Sequence, residues 1–160
     1  MHRLLPAAVV GSAMLAAPAQ ACMVSAPLQV GDVAYADLVV TGRIANYHIV
    51  RGRGPRPISD YARFEVVVDQ VLKGKAGKTV SATWDNSTFA EPTRLPPGRY
   101  LVALRRSGAR TPPLRGPSAT VFPDPERGSM VLLQAPCAPA FMFPATSREA
   151  AAVAKVLARR

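Results

Sequence analysis

Cys22 stands directly behind Ala19-Gln20-Ala21, and the only other cysteine of the 160-residue chain is Cys137. The residues ahead of Cys22 have the layout of an export signal. Arg3 is the positive start, Leu4 to Ala17 is an apolar run broken only by Pro6, Gly11 and Ser12, and Ala19–Ala21 is an A-x-A cleavage site. That run is too short to cross a bilayer as a mature helix, and no later stretch is long and apolar enough. Residues 1–21 are therefore expected to be removed, leaving Cys22–Arg160, roughly 140 residues and one domain. Cleavage after Ala19, at Ala17-Pro18-Ala19, is the alternative and puts Cys22 third. The expected destination is secreted or periplasmic. Thiols oxidise there, so the two cysteines read as one disulfide, Cys22–Cys137. It closes a loop of about 115 residues, for which loop entropy gives about 4–5 kcal/mol. Lipid attachment is the competing use of Cys22. Lipoprotein boxes want Leu three residues ahead, where this chain has Ala19, and lipidation would deprive Cys137 of its only partner.

Downstream, the apolar residues recur with a period of two. Asp37–Val50 reads as a long strand, with Leu38, Val40 and Ile44 on one face and Val39, Thr41, Arg43 and Ala45 on the other. Gly42 falls on the apolar face, as at a bulge or a sharp bend. Tyr61–Leu72 alternates likewise, as does Thr79–Trp84, where Val80, Ala82 and Trp84 point inward and Thr79, Ser81 and Thr83 outward. Tyr100–Leu104 is apolar enough to be central, and Met130–Gln134 makes a fifth strand. The lead-in before Ala36 carries Pro27 and Gly31, which argue against a helix. Between Arg105 and Gly128 the chain is rich in proline and arginine, a surface excursion with at most a short edge strand at Ala119–Phe122. The tail from Thr146 predicts a helix over about 146–159, with Thr146 and Glu149 as a capping box and Ala150, Val153, Val156 and Leu157 as the buried stripe. The fold class that follows is mostly β, a small five-stranded barrel of OB type with a C-terminal α-helix. A sandwich of five or six strands is the runner-up.

The order of these stretches resembles the netrin-like OB-fold family, best known from tissue inhibitors of metalloproteinases. The matching segments are Ala36–Ile44, Phe64–Gly74, Gly98–Leu104, Met130–Cys137, Phe143-Pro144 and the terminal helix. The resemblance implies a domain that acts by binding protein. In those inhibitors the chain starts with a cysteine whose free amine and carbonyl chelate the catalytic zinc of a protease. Carried onto this sequence, the wedge is Cys22, Met23, Val24 and Ser25, with the Asn86–Glu91 loop alongside and Met23 entering the protease's first primed-side pocket. Zinc in such enzymes keeps an open position, and an α-amine with a pKa near 8 is partly neutral at neutral pH. The implied partner is a zinc metalloprotease or another envelope or extracellular protein; the domain itself needs no cofactor and binds no metal alone.

Once Arg3 is lost the charge is about +9, and Arg43, Arg51, Arg53, Arg56, Arg63, Arg94, Arg99, Arg105, Arg106 and Arg110 are scattered along the chain. Such a surface attracts anions through its general field. The alternative to the inhibitor reading is thus a non-inhibitory envelope domain that takes anionic partners through the loops at Arg51, Arg53 and Arg56 and at Arg105–Arg115. No stacking platform of aromatics accompanies the arginines, so nucleic-acid readout is not expected. Nor is catalysis. His48 is the one histidine left after cleavage and lies in a strand, Asp69 and Asp85 have no identifiable partner, and no serine sits in a G-x-S-x-G context.

Overall fold

A computed structural model describes residues 25–51, 60–85, 91–115, 121 and 123–159. Residues 1–21, expected to be an export signal, lie outside them with Cys22, Met23 and Val24, as do Arg53, Arg56 and residues 86–90. The described residues form β1 (Leu38–Val50), β2 (Tyr61–Lys73), β3 (Thr79–Trp84), β4 (Arg99–Arg106), β5 (Met130–Leu132), β6 (Met142–Pro144) and the helix α1 (Arg148–Leu157). A 3₁₀ helix, Val30–Tyr35, precedes β1. No helix among the described residues is long and apolar enough to cross a membrane.

The sheet runs β1-β2-β3-β5-β4, and β4 pairs again with β1, which closes a five-stranded barrel of OB type. All its pairings are antiparallel except β3 with β5. β1 is bonded on both edges over its first half, to β2 and to β4 from Leu38↔Leu104 to Arg43↔Arg99. It bends at Gly42, where the register with β2 shifts. A Cβ there would sit 2.3 Å from the Val67 carbonyl oxygen, so only glycine allows β2 this close. A second irregularity lies between Ala45 and His48, where Asn46 adopts φ 52°.

Two cores lie back to back across the barrel wall. The interior holds Leu38, Val40, Phe64, Val66, Trp84, Tyr100, Val102, Leu104 and Leu132. Outside it, Val33, Val39, Leu101, Leu133, Phe141, Phe143 and Val153 fill a second core beneath the 3₁₀ helix and α1. β4 feeds both, Tyr100, Val102 and Leu104 inward and Leu101 and Ala103 outward. Its apolar composition reflects this two-sided burial. β5 and β6 share the second edge of β4 end to end, β5 against Leu104–Arg106 and β6 against Tyr100–Val102.

Several sequence expectations change. The lead-in is helical after all, because six residues of 3₁₀ helix tolerate Gly31 where a longer α-helix would not. The cap of α1 is Ser147, whose hydroxyl accepts from the Ala150 N–H at 3.1 Å, and not Thr146. Thr83 points away from the interior, yet it is fully buried, with its hydroxyl donating to the Met130 carbonyl of β5 at 3.4 Å. Val121, the one described residue of the Ala119–Phe122 stretch, is not in a strand.

Gly42→Ala should cost about 2–3 kcal/mol in urea unfolding. Gly77→Ala, where an added Cβ meets nothing within 4 Å, should stay within about 0.5 kcal/mol of the parent. Equal effects would remove the close approach at Gly42 as the reason for the bend.

Candidate functional site

The turn between β5 and β6 organises one end of the molecule. Gln134 receives a hydrogen bond from Trp84 Nε1 at 2.9 Å and donates from its own amide to the Ala138 carbonyl at 2.8 Å. It thus ties the end of β3 to this turn. Cys137, buried within it, holds φ at 67°, a left-handed conformation that turns its carbonyl outward to accept from Ala26 N at 2.7 Å. Of the expected wedge Cys22, Met23, Val24 and Ser25, only Ser25 is described, and it is exposed immediately ahead of that bond.

The segment after Ala26 is fastened from three sides. Lys73, at the end of β2, donates its ammonium to the carbonyls of Val33, Ala34 and Ala36 at the C-terminal end of the 3₁₀ helix. Gly74 follows at φ 82°, and a Cβ there would meet the Asp37 carbonyl oxygen at 2.4 Å. Arg115, from the excursion after β4, donates Nη2 to both oxygens of buried Asp32 at 2.7 and 2.8 Å. The start of the domain is part of the fold.

The arginines assigned to basic loops behave differently from a free cationic patch. Arg105 is buried and grips the Asp124 carboxylate with both terminal nitrogens, while the Gly108 N–H reaches the same carboxylate at 2.6 Å. Burial alone would raise the Asp124 pKa, but the bonds from Arg105 and Gly108 outweigh it and hold it below the usual range. Arg106 faces Asp37, Arg63 and Tyr61 share Glu126, and Arg99 meets Asp69 at 2.9 Å. Arg51 contacts Asp60 from a position 81% exposed, while Arg53 and Arg56 lie outside the described residues. Of the excursion's arginines, Arg110 and Arg127 show no ion pair among the described residues. These partners are invisible in sequence because 9 to 83 positions separate the two members of such pairs.

A carboxylate that sequence gave no role lies beside the same turn. Asp85 follows Trp84 and lines a recess of about 40 Å³ together with Arg105, Asp124, Gln134 and Pro136. Burial, then the nearby charges of Glu91 and Asp124, push its pKa up to about 6. His48 is exposed and donates Nδ1–H to the Asn46 carbonyl at 2.8 Å, which places no acid behind it for general-base work. Among the described residues no three His, Cys, Asp or Glu side chains converge as metal ligands.

Arg105→Met strands Asp124 without its cation and should cost about 3–5 kcal/mol. Arg51→Met, at an exposed pair, should cost no more than about 0.5 kcal/mol in the same denaturation assay. Asp85 has a folded pKa above its unfolded value, so its ionisation opposes folding and the cost grows as pH rises from about 4 to 6. Asp85→Asn should therefore raise Tm by about 3 °C at pH 7.5, with the gain gone below pH ~4. An equal gain at every pH would point to packing instead.

No protein-family model, no curated protein and no solved structure matches this chain, so its function rests on the arrangement just described.

Proposed function

We propose that the chain is an exported binding module of netrin-like type, and that its contact surface is the N-terminal end held against Cys137. The bond from Ala26 N to the Cys137 carbonyl carries this reading. It brings the chain start to the second cysteine, with Cys22 four residues away, a distance an extended chain spans easily. Cys137 is not a free thiol, in keeping with a Cys22–Cys137 disulfide. An end anchored by a disulfide and a backbone hydrogen bond loses little freedom on binding, which is what a rigid wedge requires.

In its sharpest form the module inhibits a zinc metalloprotease. Cleavage after Ala21 frees the Cys22 α-amine, and the amine and carbonyl of Cys22 chelate the enzyme's zinc while Met23, Val24 and Ser25 follow along its cleft. The envelope domain that takes anions through basic loops has less support, since Arg51, Arg105, Arg106 and Arg115 are already turned onto carboxylates.

The test starts from the exported protein, with mass spectrometry fixing its first residue and its disulfide. Selective acetylation of the α-amine should then weaken inhibition of zinc metalloproteases at least about 100-fold, the loss of a metal–nitrogen bond at the enzyme's open site. Equal inhibition before and after acetylation excludes chelation. Two free thiols in the exported protein exclude the anchored end.

A further inference from the structure

The chain has 20 Lys and Arg against 10 Asp and Glu, and Asp32, Asp37, Asp60, Asp69, Asp124 and Glu126 each take an arginine. Asp85 does not. Among the described residues its carboxylate has neither a hydrogen bond nor an ion pair, although it is half-buried and opens on the recess. A desolvated carboxylate without a cation is costly, and cations abound on this chain. The anomaly marks a place for a cation from outside.

The recess itself limits what that cation can be. Its volume, about 40 Å³, takes an ammonium group with a water or two, since one water needs roughly 10–15 Å³. Val121, Pro123, Val131, Leu132 and Pro136 give it apolar walls, which suit methylenes. The charges facing Asp85 are Glu91 from the segment ahead of β4, and Asp124 with Arg105 from the far wall. Arg105 is engaged by Asp124 and so is not turned onto Asp85.

We propose that this recess seats a lysine side chain of the bound protein, with the methylene stem on the apolar wall and the ammonium on Asp85. The inference rests on the binding-module reading for its partner, but the seat can be tested without one. Because Pro136 lines the recess and Cys137 anchors the chain start, a partner docked on the N-terminal end comes within reach of it. The seat works with Asp85 ionised and weakens as the carboxyl takes up a proton toward acid pH.

Trp84 provides the readout, as the only tryptophan of the chain, with its indole N–H on Gln134 at the recess wall. Titrating n-butylammonium chloride into the ¹⁵N-labelled protein at pH 7.5 should shift the indole N–H resonance saturably, in the millimolar range. Sodium chloride at matched ionic strength and n-butanol should not. At pH 5 the binding should be at least tenfold weaker. Asp85→Asn should abolish it while keeping a dispersed spectrum, and Asp85→Ser serves as a second uncharged variant. No saturable shift at pH 7.5, an equal response to n-butanol, or unchanged binding in a folded uncharged variant overturns the proposal. The protease assay reads the α-amine and this titration reads the recess, so the failure of either leaves the other standing.

Discussion

The barrel depends on one strand being bonded along both edges. From Leu38 to Arg43, β1 pairs with β2 on one side and β4 on the other, and this is possible only because the backbone of β2 closes on Gly42 without a side chain between. That curl brings β4 to the far edge of β1, and β4 then has to bury both of its faces. One face completes the barrel interior, and the other creates an apolar surface that the 3₁₀ helix and α1 must cover. The opposite seam is slight, since β3 and β5 pair only at Ala82↔Met130 and Thr83↔Val131. The excursion after β4 closes over that weaker side, with Glu126 held by Arg63 and Tyr61 of β2.

What could be read in the sequence was whatever repeats locally. The alternation in Asp37–Val50, Tyr61–Leu72 and Thr79–Trp84 located β1 to β3, and a glycine on the apolar face of the first located its bend. β6 was illegible because three residues carry no period, and its pairing is decided by the edge of β4 that β5 leaves uncovered. Val39 and Thr83 show another limit. Alternation assigns a side chain to a face but cannot say that the outer face is itself covered, which depends on distant segments. The same applies to the site. Cys137 was conspicuous as one of two cysteines, whereas the roles of Gln134, Asp85 and Asp32 arise from contacts across the fold.

Charge shows why composition alone misleads about function. A formal +10 suggests a surface for anions, but the arginines of the excursion are largely its struts. Proline-rich chain without a regular period cannot satisfy its own backbone or bury much apolar area, so it needs other fastenings. Buried carboxylates supply them: Arg105 with Asp124 holds the excursion to β4, and Arg115 with Asp32 holds it to the 3₁₀ helix. Such pairs fix geometry more than they add net stability, because desolvation offsets much of the attraction. Their value here is to set the recess wall and the lead-in segment relative to one barrel.

The turn from Gln134 to Ala138 joins these arrangements. Its Cys137 carbonyl receives the Ala26 N–H, its Gln134 amide receives the indole of Trp84, and its Pro136 lines the recess with Asp85. A contact surface built on separate loops would have to order each of them on binding, at a cost for every side chain immobilised. Here the left-handed Cys137 backbone and the doubly bonded Gln134 set Ala26 and the recess from a single segment. Exposed Ser25 and the recess therefore hold positions relative to each other that the fold already fixes. The orientation between the two is a property of the free molecule, which is the physical condition for binding by shape rather than by rearrangement.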